Sequence, residues 1–304
     1  MDWLKGWFPA VFGDPPSNDP PPPPKVQTDT PWRSLESETT STIVQAIEKL
    51  DRKKTPGILV TGPTAAGKSS FINSCLSVGA GRRTAIAQSG NAVGSYTLEF
   101  KQYHGSKLLS KFRFMDSMGI EGTFGKGINP LDITYLLQGH IKSNYKFDQD
   151  KAIDKESKFY RHNPKLEDKI HCVVFVIDAK TMKASISQAH VDKIKWIQNE
   201  IKKADVPRVI ILTKCDLLCD KVKENADNIF KSMKVKRAVD TASELFSIEK
   251  SSVYPVINYE VDVVLSTAKN VPILLALGQI LGNACDFVER AHDVSDKACL
   301  CCWN

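Results

Sequence analysis

Apolar residues along this chain follow two recurring patterns, short unbroken runs and longer stretches at helical spacing. The runs at 58–60, 111–115, 171–177 and 208–212 predict strands buried on both faces, and 253–258 predicts a weaker one. A helix is predicted over 69–76. Ile186, Val191, Ile194, Ile197 and Ile201 recur at helical intervals. So do Ile273, Leu277, Ile280, Ala284 and Phe287, behind Asn270 as candidate N-cap and Pro272 in the first turn. Residues 96–103 and 108–115, joined through His104 and Gly105, predict an antiparallel edge hairpin. Strands alternating with helices predict an α/β fold, a mostly parallel sheet with helices on both faces.

Three regions separate along the chain. Residues 1–35 are a Pro-rich segment expected to be flexible, with an unbroken proline run at 20–24 that suits a polyproline II rod and not a packed core. Trp3, Leu4, Trp7 and Phe8 would share one helical face, suited to a membrane interface or a partner, or simply forming a sticky tail. The body spans 36–291 and carries an insertion at about 120–169 with a helix predicted over 131–141. Connections of that length are usually functional or mobile. This one, together with 79–95, is expected to change order with ligand state and to offer a surface to an effector or a second copy. Residues 292–304 form a Cys-rich tail. Cys299, Cys301 and Cys302 could be lipidated there, giving peripheral membrane contact, although Trp303 and Asn304 fit a prenylation signal poorly.

Composition narrows the class. At 304 residues and 42% hydrophobic the chain can bury a core, and no run of 18 uninterrupted apolar residues marks a membrane span. A net charge of +6, from 41 basic and 35 acidic residues, is too dispersed for a nucleic-acid face, so no specific nucleic-acid partner is expected. The densest patch, Lys231, Lys234, Lys236 and Arg237, reads as a solvated helix face. Cys75, Cys172, Cys215, Cys219 and Cys285 have neither metal nor disulfide spacing, and no export signal precedes them. A cytoplasmic location is therefore expected.

Candidate chemistry begins at Gly62-Pro63-Thr64-Ala65-Ala66-Gly67-Lys68-Ser69, a P-loop placed between a predicted strand and a predicted helix. Its glycines let backbone amides face a diphosphate, and the helix end adds positive potential. Gly62, Thr64, Ala65, Ala66, Gly67, Lys68, Ser69 and Ser70 are accordingly the expected phosphate contacts. Lys68 would reach the terminal phosphates, with Ser69 on Mg²⁺. Asp116-Ser117-Met118-Gly119 follows the next strand, offering Asp116 to the metal and the Gly119 amide to a γ-phosphate. Thr213-Lys214-Cys215-Asp216 ends another strand and selects the base. The Asp216 carboxylate can accept from N1–H and the amine of guanine, whereas adenine has no such donors at that edge, a distinction that can reach about 10⁴-fold. Lys214 would lie along the base, and Asn258 could touch it.

In order and placement these motifs resemble the G domain of the P-loop GTPases, implying a Ras-like fold that binds GTP or GDP with Mg²⁺. A narrower resemblance rests on Thr30-Pro31-Trp32-Arg33, Asp116-Ser117-Met118-Gly119, Leu137-Gln138-Gly139-His140 and Asp168-Lys169-Ile170-His171-Cys172-Val173. Together they look like the interferon-induced protein 44 family, which implies a cytoplasmic protein of the antiviral immune response. The hydrolytic parts fit less well. Ile120 stands where a water-orienting glutamine is usual, leaving Glu121 as the nearest polar residue, and Ser89 is the best-placed stand-in for a switch threonine. Slow or partner-dependent hydrolysis follows. A non-catalytic interaction scaffold is the first alternative and an ATP-dependent enzyme the second.

Overall fold

The computed structural model describes residues 28–33, 40–50, 55–87, 99–120, 127–181 and 188–301. The chain order is α1 (Thr40–Glu48), β1 (Gly57–Thr61), α2 (Lys68–Ala80), β2 (Lys101–His104), β3 (Arg113–Asp116), α3 (Pro130–Gln138), β4 (Cys172–Asp178), α4 (Gln188–Lys203) and β5 (Arg208–Thr213). The short α5 (Cys215–Leu218) and α6 (Asp220–Glu224) follow, then α7 (Met233–Phe246), β6 (Val253–Pro255) and α8 (Thr267–Cys301). The sheet runs β2-β3-β1-β4-β5-β6, parallel throughout except for β2.

Both faces of the sheet are covered, which explains why the central strands read as unbroken apolar runs. In β4, Val173, Phe175 and Ile177 join the core under α3, α4 and α7. The alternate residues Cys172, Val174 and Val176 join the core under α1, α2 and α8. Each such apolar side chain contributes about 1.5–3 kcal/mol on burial. That outweighs strand propensity, whose whole scale spans ~1 kcal/mol.

Several expectations change in the folded chain. The edge hairpin is antiparallel, but Lys107–Leu109 forms a 3₁₀ turn instead of strand, because Leu108 and Leu109 turn into the core. Helix α8 starts at Thr267, ahead of Asn270. Its entry is organised by Tyr259, whose hydroxyl accepts the Ser266 N–H at 2.8 Å and donates to Asn270 Oδ1 at 2.8 Å. Asn270 thus lies inside the helix, and Pro272 is interior too. By length and composition, 267–293 could cross a membrane, yet Ile273, Leu277, Ile280, Leu281 and Ala284 on it are core residues. The helix also continues past 292 to Cys301, so the tail begins as its last turns.

Residues 28–33 are docked, contrary to the expectation of a free segment up to 35. Trp32 donates its amide to Phe230 O at 2.8 Å and meets that ring edge-on, while Arg33 lies 5.1 Å over the Tyr254 ring. Apolar and cation–π contact hold this segment to the body.

The insertion is packed on the body across 127–169. Ile133, Leu136, Ile141, Tyr145, Phe147, Ile153 and Tyr160 all join the core. At its centre the fully buried Asp132 accepts the Ile153 N–H at 2.8 Å. Burial lifts this carboxyl from 3.8 to about 6, against the lowering effect of the Ile153 amide and the Tyr145 hydroxyl. The folded chain therefore holds a proton that the unfolded chain releases. Stability from this group is complete below about pH 4 and is lost as pH rises through about 6. Asp132→Asn keeps an acceptor for Ile153 and removes the dependence. Relative to the unsubstituted chain, the variant should gain roughly 2–3 kcal/mol between pH 4 and 7.5, measured by urea unfolding.

Candidate nucleotide-binding site

The P-loop, Asp116, Asp178, Thr213–Asp216 and Asn258 all gather at the carboxyl ends of the parallel strands, where open α/β sheets bind ligands. At the start of the loop, Gly62 has φ +140°, and a Cβ there would lie 2.1 Å from Val176 O. Only glycine lets the loop pass this close to β4. Ala65 and Gly67 are left-handed, at φ 60° and 89°.

That strained shape is fixed from the other side of the sheet. Three successive loop carbonyls accept hydrogen bonds: Ala65 from Lys214 Nζ at 2.8 Å, Ala66 from Thr213 Oγ1 at 2.6 Å and Gly67 from Asn258 Nδ2 at 3.2 Å. A trans peptide sets its amide opposite its carbonyl, so the Gly67 and Lys68 amides face the cradle. The first turn of α2, with Ser69 and Ser70, adds amides that lack helical acceptors. Loop shape and base-side residues are thus one hydrogen-bonded unit, and the left-handed residues persist because their surroundings over-determine them.

Lys68 is 8% exposed and donates to Gly62 O at 3.2 Å and Pro63 O at 3.0 Å, which aims its ammonium across the loop. Ser69 Oγ donates to Asp116 Oδ2 at 2.8 Å, while Asp116 Oδ1 is buried without a hydrogen-bond partner among the described residues. Burial raises the Asp116 carboxyl above its usual range; Lys68 and then Ser69 oppose this. A hydroxyl beside a carboxylate with an unsatisfied oxygen suits a hard, oxygen-seeking cation such as Mg²⁺, and these two residues would hold it.

Gly119 lies against the P-loop: a Cβ there would come within 2.4 Å of Thr64 Oγ1. Next to it, Ile120 donates its amide to Gly62 O at 3.0 Å and is fully buried. The position that orients water in many GTPases is therefore an apolar plug. Ser89 and Glu121 lie outside the described residues, as do Trp3, Trp7 and Cys302.

On the base side, Lys214 is left-handed, with φ 56°, and its ammonium joins Ala65 O to Asp178 Oδ2 at 2.9 Å. Asp216, half-buried in the first turn of α5, has no hydrogen bond or salt bridge with any described residue. Asn258 lies three residues beyond β6 rather than at its end, and its amide tethers Gly67. Its Oδ1 is buried and unpaired. Sequence reasoning missed Asp178. The available signal was an acid closing the 171–177 run, but its pairing depends on the register Asp178↔Thr213 between β4 and β5.

A phosphate cradle of this form on a sheet of this order defines a P-loop GTPase domain, and the P-loop marks nucleoside triphosphate binding. Residues 57–214 match the family described as 50S ribosome-binding GTPase, and the chain belongs to that family. It is also similar to interferon-induced protein 44-like of Homo sapiens, 33% identical over 238 residues, covering 76% of this chain and 52% of that protein. Interferon-induced protein 44 of Mus musculus is 33% identical over 237 residues, 76% of this chain and 55% of that one. The chain spans about half the length of these curated relatives. A solved probable GTP-binding protein engB aligns at 12% identity and TM-score 0.38, over 66% of this chain and 88% of that one.

Proposed function

We propose that this chain binds GTP and GDP with Mg²⁺, selects guanine through Asp216 and hydrolyses GTP slowly. The observation that carries the reading is the Asp216 carboxylate, without a partner among the described residues and beside a lysine that is bonded to the P-loop. A base with two donors on one edge satisfies it; adenine does not. Competition of ATP against GTP for the isolated protein tests this. Equal displacement by ATP would favour the ATP-dependent alternative and overturn the reading.

Slow turnover follows from Ile120, which has no polar atom to hold a water. Single-turnover phosphate release should proceed at or below about 10⁻³ per second, near the intrinsic rates of unassisted GTPases. The buried Ile120 also favours a second reading, a scaffold that binds nucleotide without converting it. Bound GTP that persists for days without phosphate release would establish that scaffold instead.

Similarity to interferon-induced proteins supports a role in the interferon-induced antiviral response. A cytoplasmic location accords with five described cysteines that are buried and not disulfide-bonded. Interferon treatment should raise the transcript, and cell fractionation should recover the protein in the cytosol. An unresponsive transcript or a secreted protein would count against these assignments.

A further inference from the structure

At the end of the sheet opposite the nucleotide site, the start of β5, the last turns of α4 and α7 and a late turn of α8 enclose a cleft of about 700 Å³. Four cations line it, Lys195, Lys202, Arg208 and Arg290, against one carboxylate, Asp205. The side chains of Lys195, Lys202 and Arg290 make no hydrogen bond or salt bridge with any described residue. Arg208 gives one N–H to Ser247 O at 3.2 Å, leaving most of its fork uncommitted, and burial lowers its pKa. On the same wall Gln198 is 8% exposed, and its amide nitrogen is buried with no acceptor among the described residues.

Complementing a helix dipole accounts for Lys202, in the last turn of α4. It does not account for Lys195, two turns earlier, for Arg290 on another helix, or for a buried amide donor without an acceptor. Buried donors are normally satisfied, and an exception calls for a missing acceptor. Beyond the one bond from Arg208 to Ser247 O, these cations and the buried amide are donors to which no described residue offers an oxygen.

We propose that this cleft binds an anion bearing several phosphate groups, of inositol-polyphosphate type, either free or as the headgroup of a phosphoinositide lipid. Spread over two helices and a strand, the cations call for several negative charges on one compact ring, and the cleft volume suits such a ring. A planar guanidinium favours phosphate oxygens. The site is separate from the P-loop, since Arg208 starts the strand that Thr213 ends, roughly 16 Å away.

The test titrates inositol hexakisphosphate into the full chain, with and without GDP and Mg²⁺, and repeats the binding with phosphatidylcholine vesicles with or without phosphatidylinositol 4,5-bisphosphate. Lys202→Gln combined with Arg290→Gln should weaken binding about tenfold or more. Gln198→Leu, which changes no charge, should weaken it about threefold or more. The charge-matched pair Lys234→Gln and Arg237→Gln on α7 should stay within about twofold, as should Lys68→Ala. Cleft-dependent binding to vesicles alone identifies a headgroup, and cleft-dependent binding to the soluble compound identifies a free ligand; both support the proposal. Equal loss in the charge-matched pair would show diffuse attraction only. Loss confined to Lys68→Ala would place the anion in the P-loop, and absence of binding in both formats leaves no site. Any of these three results overturns the proposal.

Discussion

Lys68→Ala should leave the fold standing and lower affinity for GTP with Mg²⁺ by about 10²- to 10⁴-fold. In this structure the ammonium donates to two loop carbonyls, Gly62 and Pro63, which orient it. Phosphate oxygens would offer it charged acceptors. Two charge-assisted hydrogen bonds at roughly 1.5–3 kcal/mol each account for a loss of that size. Stability should change little, within about 1 kcal/mol, because alanine is the best helix former and the lost contacts are to loop carbonyls. Calorimetric titration reads the first quantity and urea unfolding the second. Since Lys68 also holds down the Asp116 carboxyl, its removal lets burial raise that group further. Residual Mg²⁺ dependence should then shift to higher pH. Unchanged GTP affinity in a folded variant would remove the site assignment.

The second large effect concerns the base. Asp216→Asn should weaken GDP binding by about 10²- to 10⁴-fold, the value of one charge-assisted hydrogen bond lost and a donor left facing a donor in its place. An asparagine can accept from guanine N1–H, but its own NH₂ then meets the exocyclic amine, donor against donor. Xanthine has an oxygen in place of that amine. The variant should therefore prefer xanthosine diphosphate to GDP, inverting the order of the unsubstituted chain. The fold should be unaffected within about 0.5 kcal/mol, because the carboxylate is half-buried and bonds no described residue. Equal affinity for GDP before and after the change would mean that the base is read elsewhere.

Both sites of substitution were legible in the sequence because their signals are local. A P-loop is one contiguous stretch, and its glycines, lysine and serine are required by the backbone path they make. Strands β1, β3, β4 and β5 were legible for a related reason: burial on both faces writes an apolar run into the sequence. Features set by distant neighbours were not. The Leu108 and Leu109 turn depends on a core that closes around it, and the start of α8 depends on a tyrosine hydroxyl from the preceding loop. The scattered aromatic and aliphatic residues of the insertion find one another only after folding.

Taken alone, the order of residues determined the phosphate cradle, the alternation of strand and helix, and the acid proposed to read the base, since each follows from short-range sterics, periodicity or donor–acceptor matching. Tertiary structure decided which groups hold that cradle in shape. Strand register sets Asp178 beside Lys214, and the path after β6 brings Asn258 to Gly67. It also sent the apolar stretch of α8 into the core and drew four cations around an unpaired glutamine. The physical reason is that hydrogen bonds and burial act through space, between residues whose separation along the chain has no bearing on their distance once the sheet has formed.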